Sequence, residues 1–212
     1  MTSNSNARFQ LKEIPDGIRN LSDEERETAR RMVLGRIELV QMGDEIIPDR
    51  KMYAPRVNNN ARLLEGCLGI QGPSEGTWTE EMFDAFFQRH FVGGCYLWVE
   101  PAAERMPEPV FWAPYSPARR DWLYVYASNL GMRPCGMMRV DGRLAVYANL
   151  DCEFTFVFGD PNLVDKFDQE FGGRKRICEE FSRFLDANEV DLGDGNIYGF
   201  MKLYLPEIGG CK

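Results

Sequence analysis

Between Cys95 and Phe158 the chain carries six short runs of β-branched and aromatic residues, each bounded by Pro, Gly or Asp. They are Cys95–Glu100, Val110–Ala113, Trp122–Ser128, Gly136–Val140, Leu144–Asn149 and Glu153–Phe158. Runs of this length and composition read as strands. Parallel neighbours need crossover connections of about a dozen residues or more, usually helical, and no helical pattern separates these runs. The block therefore predicts an antiparallel meander. Asp141-Gly142, set between two of the runs, is the strongest hairpin signal in the sequence.

Helical patterns flank the strand block. Ser22 and Glu25 have the spacing of a capping box, and Asp23, Glu24, Glu25 and Glu27 load the first turn with negative charge. Ala29, Val33, Ile37 and Val40 then recur at helical spacing, predicting a helix that ends near Gln41 to Gly43. A shorter helix is expected from about Asn60 to Cys67. Thr77 and Glu80 form a second capping-box spacing for a helix carrying Met82, Phe83, Phe86, Phe87 and His90, stopped by Gly93-Gly94. Asp160-Pro161 supplies an N-cap and a first-turn proline for a helix to about Phe171. Gly172-Gly173 separates it from another, over Arg174 to Ala187, whose Ile177, Phe181, Phe184 and Leu185 share a stripe. Ile197–Leu205 reads as a closing strand.

The expected class is α+β: N-terminal helices, a six- or seven-stranded mostly antiparallel sheet, then two helices and a closing strand. Residues 1–8 read as a disordered terminus and 9–212 as a single domain. Its helical part covers about 9–94, and the sheet and C-terminal helices cover 95–212. At 212 residues such a chain buries roughly 70% of its unfolded surface, so its core needs no metal or disulfide. The opening residues show no apolar stretch of signal-peptide length, and no window reaches the ~20 apolar residues of a membrane span. A cytoplasmic protein with no membrane association is the expectation. The six cysteines form no Cys-x-x-Cys pair, so zinc-knuckle and thioredoxin-like chemistry is not indicated, and they read as small reduced hydrophobes.

Charge narrows the functional classes. The net charge is −8, distributed as −3 over residues 1–90, +1 over 91–150 and −6 over 151–212. A phosphate-backbone binder would need a basic stripe, so direct nucleic-acid backbone binding is not expected. The acidic excess of the last third instead fits a face that attracts a basic protein partner. Its centre is Asp186–Asn196, with Asp186, Glu189, Asp191 and Asp194. This stretch fails the EF-hand pattern: Val190 holds the fifth position, Asp191 the glycine position and Ile197 the twelfth. On an extended strand, Trp122, Tyr124 and Tyr126 would share one face, either covered by helices or open as an interface.

Catalytic motifs fail in their context. Gly72-Pro73-Ser74-Glu75-Gly76 has the nucleophile-elbow string but lacks a preceding strand and a separate acid-bearing strand before the single histidine. Gly66 to Gly72 is glycine-rich without the lysine of a phosphate loop. One histidine cannot build a multi-histidine metal site. Asp151 and Glu153 would share a strand face, and no strand-borne second acid is evident at the spacing before Pro48-Asp49-Arg50-Lys51 that a nuclease site requires. His90 and Cys95, either side of Gly93-Gly94, form the best remaining catalytic pair, a base beside a thiol. The sequence favours a non-enzymatic cytosolic binding protein, such as an inhibitor or immunity protein of a toxin. It has no cofactor or metal, and self-association is left open. The alternative is a small hydrolase-like enzyme using a carboxylate or the Cys95/His90 pair.

Overall fold

The computed structural model describes residues 14–41, 51–56, 60–66, 79–100, 108–150 and 154–187. Its architecture is α+β. In chain order the elements are β1 (Arg19–Asn20), α1 (Asp23–Arg36), β2 (Ile37–Gln41), β3 (Lys51–Pro55), β4 (Asn60–Glu65), α2 (Glu80–His90) and β5 (Cys95–Val99). There follow β6 (Glu108–Ala113), α3 (Pro117–Asn129), β7 (Cys135–Arg139), β8 (Leu144–Asn149), β9 (Phe154–Gly159), α4 (Pro161–Glu170) and α5 (Arg174–Ala187). Seven strands form one sheet in the order β1-β6-β5-β7-β8-β9-β4, and β2 and β3 pair separately. Every pairing is antiparallel.

Side chains alternate across this sheet and so build two cores. On one face Leu97, Met137, Val146, Val157 and Leu64 meet Phe83, Phe86 and Phe87 of α2, Leu123 and Ala127 of α3, and Phe167 of α4. On the other face Trp98, Met138, Tyr147, Phe156 and Leu63 meet Val33 of α1, Ile37, Ala54 and the α5 residues Cys178 and Phe181. Ile177 belongs to the first core and Cys178 to the second, so α5 straddles the outer edge at β4.

Local chemistry explains most boundaries. Ser22 caps α1 with the full reciprocal box: Glu25 N–H donates to Ser22 Oγ at 3.3 Å, and Ser22 N–H to Glu25 Oε2 at 2.9 Å. Asp160 caps α4, accepting from Asn162 N–H at 3.0 Å ahead of Pro161. The Asp141-Gly142 turn joins β7 to β8, with Gly142 at φ 71°.

Four expectations are corrected. Trp122–Ser128 is not a strand but lies within α3, begun by Ser116 as N-cap and Pro117 in the first turn. That Ser-Pro start outweighs the β propensity of the aromatics. On the helical period Trp122 and Tyr126 become neighbours and stack at 5.2 Å and 18°, while Tyr124 is turned away from them. Asn60 onward is not a helix but β4, drawn into the sheet by its register with β9 from Asn60↔Gly159 to Glu65↔Phe154. The first helix ends at Arg36, and Ile37 and Val40 continue the apolar pattern as strand β2. The cap of α2 is Thr79 in place of the expected Thr77: its Oγ1 accepts from Met82 N–H at 3.3 Å, and Glu80 is the first helical residue. Thr77 and the expected strand Ile197–Leu205 lie outside the described residues. Strands β1 and β4 thus complete the sheet, alongside the five strands correctly expected between residues 95 and 159.

Candidate functional site

A dense polar cluster joins α2 to α3. Arg120, one turn into α3, is 0% exposed, and each of its three side-chain nitrogens donates to a carboxylate. Nη1 reaches Asp84 Oδ1 at 2.7 Å, Nη2 reaches Glu80 and also Asp121 Oδ1 at 2.8 Å, and Nε reaches Asp121 Oδ1 at 3.1 Å. Asp84 Oδ1 also accepts from Tyr115 Oη at 2.5 Å. Burial pushes the Asp84 carboxyl up, against the opposing pull of Tyr115 and Arg120. Burial likewise raises the Tyr115 phenol, helped by the hydrogen bond and charge of Asp84. Burial disfavours the Arg120 cation, but the Asp121 bond and surrounding charges hold its pKa above the ordinary value. Three carboxylates thus converge on one guanidinium, but its nitrogens are already engaged by them. Four of its N–H groups are so engaged, and the arrangement fastens two helices.

A second polar group lies on the opposite face of the sheet. Glu100 directly follows β5, and its Oε1 accepts from Tyr147 Oη of β8 at 2.5 Å. Burial pushes this carboxyl up to about 7, despite the Tyr147 bond and the charge of Arg133. A third pair, Arg62 of β4 with Asp168 of α4, is bidentate at 2.7 and 2.5 Å and pins α4 to the sheet edge.

Cys95 and His90 are each engaged elsewhere. Cys95 is 1% exposed, its Sγ donates to Ala113 O at 3.4 Å, and burial pushes its thiol up to about 12. A thiol so placed is protonated at neutral pH and is a poor nucleophile. His90 lies at the end of α2 with its ring 4.4 Å from Phe86 and its Nε2 4.0 Å from Glu170 Oε1. Burial lowers its pKa, with Glu170 opposing.

The aromatic trio is not a sheet face. Trp122 and Tyr124 are buried in the helix-side core, and Tyr126 is half-buried against it, 5.7 Å from Phe111. Asp186 is exposed in the last turn of α5. Glu189, Asp191 and Asp194 lie outside the described residues, as do Asp151 and Glu153. Among the described residues no group of three or more His, Cys, Asp or Glu side chains could hold a metal ion. No helix among them is long and apolar enough to cross a membrane.

Neither Arg120 nor Glu100 stands out in the sequence as a site residue. For Arg120 the signal is visible only once α3 is read as a helix, because Arg120, Leu123 and Ala127 then share one apolar stripe. For Glu100 the signal was at hand: it stands two residues beyond Trp98 and so falls on the same buried face. The chain matches no protein-family model, no curated protein and no solved structure.

Proposed function

We propose that this chain is a non-enzymatic binding protein that engages a basic protein partner through the acidic stretch opening at Asp186. An inhibitor or immunity protein of a toxin is the kind of protein meant. The observation that carries the reading is where charge is left unbalanced. Along α5, Lys175 pairs with Glu179 at 3.6 Å, while Arg176 and Arg183 both reach Glu180, at 4.0 and 2.8 Å. The acids Glu179 and Glu180 are thus taken up by bases of the helix itself, and Asp186 begins a run in which Glu189, Asp191 and Asp194 follow with no base before Lys202. Such a run speeds encounter with a cationic surface and loses that effect as salt rises.

The test uses the intact chain beside a variant carrying Asp186→Asn, Glu189→Gln, Asp191→Asn and Asp194→Asn, each as bait at low and high salt. A captured basic protein is then purified, and its association is timed against both baits. The expected result is association at least about ten-fold faster at low than at high salt for the natural chain, with a flatter response for the variant. Equal rates and an equal salt response for both baits would reduce the acidic run to a solubilising feature.

A further inference from the structure

Helix α5 carries its charge against its own dipole. Acids open α1 and α2, at Asp23 to Glu25 and at Glu80 and Glu81, and bases close them, at Arg36 and at Arg89 and His90. That is the order a helix favours, negative at the N-terminus and positive at the C-terminus. In α5 the order is reversed. Its first turn holds Arg174, Lys175 and Arg176 and no acid, and its last turn holds Asp186 and no base.

The outward side of α5 has a regular charge pattern. Ile177, Cys178 and Phe181 are buried in the cores, and Lys175, Glu179, Arg183 and Asp186 fall on one narrow stripe away from them. The Lys175, Glu179 and Arg183 side chains are 90%, 56% and 66% exposed. Asp186 is exposed too, and among the described residues it makes no ion pair. From the N-terminus the stripe runs positive, negative, positive, negative. Turned end for end it runs negative, positive, negative, positive, so it is complementary to its own reverse. Laid parallel and in register on itself, it opposes like charges throughout.

A two-fold axis between residues 180 and 181 sets Lys175 opposite Asp186 of a second copy. The same axis sets Glu179 opposite Arg183 of that copy, to within one residue's rise of about 1.5 Å. Each contact occurs twice, as a two-fold interface requires. The two helix dipoles then lie antiparallel. Each basic first turn stands beside the other helix's carbonyl end, and each Asp186 beside the other's N-terminus. The charge order that is unfavourable in one helix is favourable in the pair.

We propose that α5 docks antiparallel on α5 of a second copy of this chain through the stripe Lys175, Glu179, Arg183 and Asp186, forming a closed two-fold dimer. Its contacts are exposed ion pairs, so the dimer is weak and sensitive to salt. It occupies Asp186, and so competes with a basic partner at this helix. The dimer does not rest on the partner reading, because it is measured on the chain alone and Lys175 is no part of the acidic run.

The test is sedimentation of the intact chain, with no partner, up to about 1 mM at low and high salt. The natural chain is expected to dimerise in that range at low salt, with a dissociation constant at least about ten-fold weaker at high salt. Lys175→Glu and Asp186→Lys each oppose like charges at two places in the dimer. Each is expected to weaken it at least about ten-fold, although the two substitutions shift net charge in opposite directions. The variant carrying both restores each contact with its sign exchanged and has the natural net charge, so it is expected to regain the dimer. A natural chain that stays monomeric to the upper concentration at low salt overturns the proposal. So do single variants that dimerise as the natural chain does, or a double variant that fails to recover.

Discussion

Arg120→Ala is expected to destabilise the fold by about 3–5 kcal/mol, the cost of removing one partner from a buried ionic cluster. At this chain length that corresponds to a melting temperature lower by about 6–20 °C. The loss comes less from the missing contacts than from Glu80, Asp84 and Asp121, left facing one another with Asp84 buried. Two consequences separate this cause from simple cavity formation. Adding Asp84→Asn to Arg120→Ala should recover part of the loss, since it removes the uncompensated buried charge while keeping an acceptor for Tyr115. Mild acid should also narrow the gap to the natural chain. With Arg120 gone, the Asp84 pKa rises further above its unfolded value, so its folded-state contribution is greatest at low pH and falls as pH rises. Thermal unfolding of the single and double variants between pH 4.5 and 8 measures both. A deficit that is independent of pH and unrelieved by Asp84→Asn would mean that packing around Arg120 dominates.

Gly136→Ala is expected to cost about 2–3 kcal/mol, an overpacking penalty at the upper end of its usual range. The added methyl would lie 2.2 to 2.6 Å from three carbons of the Trp98 ring, and Trp98 is 0% exposed. The ring has no empty space to enter, because Val33, Ile37 and Phe156 belong to the same buried cluster. The backbone itself tolerates alanine, since Gly136 is not among the positive-φ glycines. The penalty is therefore purely one of space, and Trp98→Leu should relieve it. Chemical denaturation of the two single variants and the double variant gives the coupling between the sites. The double variant should be less destabilised than the sum of the singles, and strict additivity would contradict the steric account.

The parts of the fold legible in the sequence are those whose signals are local. The Ser22 box, the Asp160-Pro161 start and the Asp141-Gly142 turn each satisfy their own backbone groups within a few residues, so no distant partner is needed to read them. Asn60–Glu65 reads otherwise because its conformation is decided by β9, far along the chain, and a short apolar run does not by itself distinguish helix from strand. Trp122–Ser128 misleads because alternating aromatics satisfy the strand period. The decisive Ser116-Pro117 start lies several residues upstream, and the helix it begins regroups the aromatics four apart. The same misreading hid Arg120, whose burial follows only from a helical stripe. Neither composition nor spacing reveals that Cys95 spends its S–H on Ala113, because that contact comes from the pairing of β5 with β6.

The order in which this sheet can be assembled during synthesis is unusual for a run of mostly neighbouring strands. β5, β7 and β8 find partners close by in sequence, but β4 leaves the ribosome with β9, its only strand partner among the described residues, still to be made. The helix that straddles its outer edge comes later still, as α5. At the other rim, Arg119 donates to Asp16 O at 3.1 and 2.7 Å, holding down the turn that leads into β1. An early segment thus waits on a residue of α3 before it can cap β6. Both rims are closed by pieces from opposite ends of the described chain, so the nascent sheet exposes pairing edges until translation has passed Ala187. The long-range pairing of β4 makes its closure the slow, late event of folding.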